Sequence, residues 1–476
     1  MHIIDLSIFL VYLLAMLAVG YYFLRRNQSE SDYYVGGRSL GAWHIGLSVV
    51  ATDVGGGFSI GLGGLGFAMG LSGSWMLFTG LIGAWLAGAF LIPRVHRLGL
   101  KSGFFTFPEV FNHFYGARVA LIAALISALG YLGFTASQLL AGAKLASASF
   151  EGIDLNTALI LMGLVAVIYT VMGGIKAVIY TDTIQWIILL SGLLLVALPT
   201  AYFTLGSWEG IRAELSDDML SLSHLSWQDG LNWTLTILPI WFIGMTLYQR
   251  IYASRSEEQA RKAWFIAGVF EWPVMAFLGV SLGMLARVAA QQGLFTELGF
   301  TNAADLDPEL GLPMLLRTTL PVGLMGLVMA AYFSAILSTA DSCLMACSGN
   351  VVSDLLRRIP RFARMNQLRL GQFFTLTLGA LALFIALWME NVLELMLHSY
   401  AIMVSGLFVP LIFAVFGKRH SALAALVAMG SGAGILLLAL FTGIVIPFGL
   451  DPIALGLLAS LLSYLLLAGF RQKGIK

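Results

Sequence analysis

The 476-residue chain is 59% hydrophobic and 11% charged, with a formal net charge of +1. That balance excludes an ordinary soluble domain and makes lipid the expected solvent. A near-neutral charge offers no basis for a nucleic-acid partner, and no obligatory protein partner is implied.

The sequence predicts an all-α polytopic membrane protein of about 13 transmembrane helices. Each apolar run reaches the roughly 20 residues that a hydrocarbon core requires. Their centres fall near Leu14, Gly57, Ala84, Tyr131, Val165, Leu190, Trp241, Phe277, Phe333, Ala380, Val404, Ser431 and Ser460. Lysine and arginine near helix ends set orientation. On alternate loops they cluster on one side, from Arg25, Arg26, Arg94 and Arg97 through Arg250, Arg255 and Arg261 to Arg357, Arg358, Arg471, Lys473 and Lys476. The opposite loops carry Glu151, Asp154, Asp217, Asp305, Asp307 and Glu309, which predicts an outside N terminus and an inside C terminus. The first run lacks a basic start and is followed by Arg25 and Arg26, so it reads as an uncleaved helix rather than a secretory signal. The sequon at Asn27 to Ser29 falls on the expected cytoplasmic side. Cys343 and Cys347 share one predicted helix and read as packing residues, with no disulfide framework.

Two spans are interrupted. A helix in lipid must satisfy its own backbone, so a break is tolerated only beside protein or a watery cavity. The second span reads Ala51, Thr52, Asp53, Val54, Gly55, Gly56, Gly57, and the seventh carries Pro239 and Gly244 around Trp241 and Phe242. Breaks five helices apart in spans running in opposite directions point to an inverted-repeat transporter with its site between them. The expected division is one transporter domain over residues 1–476: an extra helix at 3–24, five-helix repeats at 42–205 and 231–417, and peripheral helices at 420–470.

The ninth span places Ala335, Ser338, Thr339 and Ser342 on one helical face. Such an oxygen stripe suits a hard cation if it faces the break at Ala51 to Gly57. Membrane serines and threonines also bond back to their own carbonyls, so the stripe alone does not establish ion binding. Asp182 and Asp341 are costly in a membrane helix, although both lie toward the expected cytoplasmic side where a carboxylate could reach water. Lys144 and His398 carry no proton relay in this reading. For a solute, the surroundings are Asp53, Gly55 and Gly56 at the break, Thr135, Ser137 and Gln138 on the fourth span, Trp241 and Phe242 on the seventh, and Tyr400 on the eleventh. Aromatic walls with amide and hydroxyl groups suit a small organic ligand.

The stretches Ala51 to Gly61, Gly173 to Gln185 (GGIKAVIYTDTIQ), Tyr248 to Ala253 and Ala335 to Ser348 (beginning AILSTADS) together resemble the sodium:solute symporter family. The resemblance implies a LeuT-like 5+5 inverted repeat behind one extra helix, with alternating access around a central site. It implies a principal sodium site from the carbonyls of Ala51, Val54 and Ala335 and the hydroxyls of Ser338 and Thr339. A second site, carried by some members, would use Asp182, Ser338, Asp341 and Ser342. Here Asp341 stands where that pattern expects a hydroxyl, which leaves stoichiometry open. Asp53 matches an acidic position of proline-type members, and its role could be sodium admission, support of the broken helix or pairing with a solute ammonium. The expected activity is sodium-coupled import of an amino acid, carboxylate or quaternary amine across a bacterial inner membrane. The resemblance implies sodium as the coupling ion and no other cofactor. Proton coupling through Asp53 or Asp182, or a sensor or channel on the same scaffold, are the rival readings. No nucleophile with a base and no HExxH motif supports an enzyme.

Overall fold

The computed structural model describes residues 2–24, 38, 40–150, 152–300 and 303–468. Arg25, Arg26, the Asn27 to Ser29 sequon, Glu151, Arg471, Lys473 and Lys476 lie outside them. Among the described residues all regular structure is helical except one isolated bridge, Leu40 with Ser254. Among the described residues, ten helices are long and apolar enough to cross a membrane. Every expected span centre falls on a helix.

The helices that build the core are, in chain order, α1 (Ile3–Leu24), α2 (Ala42–Val54), α3 (Gly56–Met69), α4 (Trp75–Leu86), α5 (Ile92–Ser102), α6 (Ala117–Ser149) and α7 (Leu155–Ser191). They continue with α8 (Trp227–Ile243), α9 (Met245–Ala253), α10 (Glu257–Val269), α11 (Ala276–Gln291), α12 (Leu324–Gly349), α13 (Gln367–Ala386) and α14 (Val392–Phe416). Polar residues at the loop ends define where several begin. The side chains of Asp154, Ser226, Ser256, Asn366 and Asn391 each accept from backbone N–H groups in the first turn of the helix that follows. These bonds occupy donors that an isolated helix start leaves unpaired. At the first of these, the Thr157 hydroxyl and amide hold the Asp154 carboxyl below its usual range.

Both expected interruptions are present. Gly55, with φ 10° and ψ −155°, separates α2 from α3, and Gly244, with φ −63° and ψ 117°, separates α8 from α9. The two broken helices run antiparallel. At one end, Leu40 just before α2 bonds Ala253 and Arg255 around the close of α9. At the other, Leu71 just after α3 bonds Met219 and Trp75 bonds Leu222, a few residues ahead of α8.

The fifth and sixth expected spans share one continuous helical assignment, α7, and its contacts show a reversal of direction. Met162 and Ala166 border Phe333 to Ala340 of α12, and Thr170 donates to Asp341. Thereafter the contacts retreat, with Asp182 against Ser338 and Gly192 against Val328. The contacts of the two ends of α7 with α12 therefore run in opposite directions. α12 is the buried axis around which these legs are arranged, with nearly every residue from Met325 to Gly349 buried.

A third interruption was not expected. α10 and α11 are joined by a π-helical segment, Phe270–Met275, within which Trp272 leaves the helical region at φ −139° and ψ 125°. Its sequence signal is Pro273, preceded two residues earlier by Glu271 in an apolar run.

Candidate functional site

The break at Gly55 lies directly against α12. A Cβ added at Gly55 would fall 2.0 Å from Thr339 Oγ1, and one at Gly56 would fall 2.7 Å from Ile336. Glycine is required there because the neighbouring helix occupies the space a side chain would fill. The close approach brings oxygens together. Thr339 Oγ1 donates to the Ala51 carbonyl at 2.9 Å and is 3.2 Å from the Ala335 carbonyl. Val54 is the last residue of α2, one position before the break.

Ser338, one position earlier on α12, donates its hydroxyl proton to Asp182. A donating hydroxyl keeps its lone pairs, so Ser338 can still present an oxygen to a cation. Asp182 also accepts from Ser48 at 2.5 Å and pairs with Arg250, whose Nη2 is 3.3 Å away. The same guanidinium reaches Ser48 at 3.0 Å, Thr52 at 2.5 Å and Ser342 at 3.0 Å. Arg250 and Asp182 are both 0% exposed. Arg250 is therefore not the loop charge that the orientation argument made of it. The helix resumes after Gly244 and carries it into the core.

Asp341 departs from its expected company. It is fully buried, does not reach water, and takes the Thr170 hydroxyl rather than joining Ser342. Residues 341 and 342 leave the helix axis about 100° apart, so they face different neighbours. Of the candidate second sodium set, Asp182 and Ser342 surround a guanidinium, while Asp341, near Asp182, bonds Thr170.

The solute candidates also separate. Gln138 Oε1 accepts from Gly56 N at 2.9 Å, which caps the second half of the broken helix. Beside Gln138 is a cavity of about 10 Å³, far too small for an organic solute, so admission there requires the helices to part. Thr135 and Ser137 bond back to the Tyr131 and Phe134 carbonyls at 2.7 and 2.8 Å. Phe242 packs edge-on to Phe408 of α14. Trp241 is fully buried against Gly83 and Trp264, and its indole Nε1 has no hydrogen-bond partner among the described residues.

Asp53 is buried beside the Tyr400 hydroxyl and the carboxyl of Glu271, a residue the sequence reading did not single out. The legible signal was an acid in an apolar run, the same signal that singled out Asp53. Lys144 was likewise underrated: it is buried and bridges Asp307 at 2.5 Å and Glu309 at 2.7 Å. Glu309 in turn accepts from the Val392 and Leu393 amides, tying the start of α14 to this cluster.

The comparisons agree with this architecture. The high-affinity proline transporter PutP of Bacillus subtilis (strain 168) is 29% identical over 430 residues, spanning 88% of each chain. Sodium/glucose cotransporter 1 of Oryctolagus cuniculus is 25% identical over 79% of this chain and 61% of its own. Among solved structures, a substrate-bound, outward-open Na+-coupled sialic acid symporter superposes with a TM-score of 0.81 at 24% identity, covering 98% of both chains. The nucleobase-cation symporter Mhp1 in a closed conformation superposes at 0.59 with 16% identity, covering 92% of this chain and 94% of its own. These two likenesses establish a shared LeuT-type fold. A family model for the sodium:solute symporter family matches residues 33–432, and with two broken helices meeting an oxygen-bearing third helix, the chain belongs to that family.

Proposed function

We propose that this protein imports a small amine-bearing solute, such as an amino acid of proline size, with one sodium ion per cycle. The family couples sodium to a small solute; the finer assignment rests on this chain's own residues. One observation carries it: the Thr339 hydroxyl converges with the Ala51 and Ala335 carbonyls at a helix break. Ala51, Val54, Ala335, Ser338 and Thr339 form the sodium site in this reading. Thr339 turns its proton to one carbonyl and gives its lone pairs to the ion.

A single ion fits the charge arrangement, because Arg250 already neutralises Asp182 where a second sodium would sit. One ion also suffices. Moving a charge through about 100 mV yields roughly 2.3 kcal/mol, and a tenfold sodium gradient adds about 1.4, together supporting roughly 500-fold accumulation. The repeats at 42–205 and 231–417 rock about this site in a bacterial plasma membrane, with the N terminus outside. Sodium holds α2 against α12 while the site faces outward and leaves after it faces inward.

The test is radioactive sodium binding to purified protein without solute. Ser338→Ala combined with Thr339→Ala should raise the half-saturating sodium concentration about tenfold or more, the loss of two modest oxygen contacts. Unaltered sodium binding removes both hydroxyls from the site.

A further inference from the structure

The geometry points to Asp53 and Glu271 as a two-carboxylate seat for the ammonium group of the solute, with Glu271 setting its specificity for amines that carry N–H donors. This rests on the proposed function and names the substrate chemistry of that site.

Glu271 is 1% exposed, and among the described residues no N–H group or hydroxyl donates to either of its carboxyl oxygens or to Asp53 Oδ2, which have only each other within hydrogen-bonding reach. The two carboxyl groups are neighbours, yet no ion pair to either is found among the described residues. A buried acidic pair without a cation is expensive, because removing carboxylates from water costs several kcal/mol per ion. Such a pair is retained where a cation arrives to complete it.

The surroundings select what kind of cation. Glu271 lies on the π-helical segment between α10 and α11, a distortion frequent at functional sites. Its carboxyl lies over Gly80 of α4, where a Cβ would fall 2.2 Å from Oε1. One turn along the same face, Gly83 makes room for Trp241, whose unpartnered indole N–H fronts the same helix. The Tyr400 ring, beside Asp53, stacks edge-on to Phe134 at 5.0 Å. Aromatic faces stabilise organic cations. Once ionised, these carboxyl oxygens accept and cannot donate, so they select N–H donors, which a primary or secondary ammonium supplies and a quaternary ammonium lacks.

The experiment measures binding to purified full-length protein in saturating sodium. The probes are L-proline and L-alanine as N–H amines, glycine betaine and choline as quaternary amines, and D-glucose as a neutral solute. At least one N–H amine should bind better than every quaternary or neutral probe. Glu271→Gln should weaken that binding at least about 30-fold, the scale expected when one member of a buried charge pair is removed. Sodium binding by the same variant, measured without solute, should be unchanged, which also verifies its folding. Glu271→Asp keeps the charge and should recover part of the affinity. The inference is overturned if no N–H amine binds, if a quaternary or neutral probe binds as well, or if Glu271→Gln binds amine normally. Weakened sodium binding in Glu271→Gln also overturns it, by making the pair a metal site. Loss of the sodium effect in Ser338→Ala/Thr339→Ala instead counts against the proposed function alone.

Discussion

The two broken helices are closed by the same neighbour and put to different uses. Each break frees a backbone N–H, and each is met by a side chain of α6: Gln138 accepts from Gly56 N at 2.9 Å, and Tyr131 accepts from Thr246 N at 3.2 Å. These residues are seven apart, two turns along one helical face. At Gly55 the Ala51 carbonyl, which also accepts from Gly55 N, meets the Thr339 hydroxyl of α12, and the result is an oxygen cluster that suits a cation. At Gly244 the resumed helix delivers a cation of its own, Arg250, into a buried pair with Asp182. In the proposed function, one break receives charge from outside the protein, while the other holds a fixed charge within it.

The largest effect should come from closing the first break. Gly55→Val places side-chain atoms where Thr339 already lies, so sodium-driven uptake in proteoliposomes should be abolished. Retained uptake would show that α2 and α12 separate during the cycle further than the structure implies. Next, Arg250→Ala leaves Asp182 buried without its partner and should lower unfolding stability by about 3–5 kcal/mol. Adding Asp182→Asn should restore much of that loss. If the double variant is no more stable than the single, the guanidinium acts through Thr52 and Ser342 rather than through the carboxylate. The smallest effects belong to the α6 caps. Gln138→Ala and Tyr131→Phe should each cost about 1–3 kcal/mol by leaving a buried N–H unpaired. Only Gln138→Ala should also weaken sodium binding, since it alone adjoins the oxygen cluster. Equal sodium effects from both would mean the breaks are not functionally distinct.

Much of this was legible in local sequence. Consecutive glycines after Asp53 in an apolar run announce a break, because glycine weakens a helix and lipid offers the backbone nothing in return. Ser338, Thr339 and Ser342 announce a polar face through their spacing. What local sequence concealed was the partner of each charge. Arg250 resembled a loop residue because an uninterrupted count from Trp227 ends the span before it. Glu271 was passed over because nothing near it in sequence supplies a reason for an acid. Gln138 was read as a solute contact, and its bond to the Gly56 amide was not foreseen, since Gly56 lies 82 residues away.

Sequence by itself determined the helical membrane architecture, the family and two of the places where helices break, because burial in lipid and backbone satisfaction act on contiguous residues. Tertiary structure alone decided which buried charges neutralise one another and which do not. Asp182 meets Arg250, Asp341 meets Thr170, and Asp53 meets Glu271 because helices distant in the chain are brought within a few ångströms. Electrostatic pairing is governed by that distance in space, which no interval along the chain encodes.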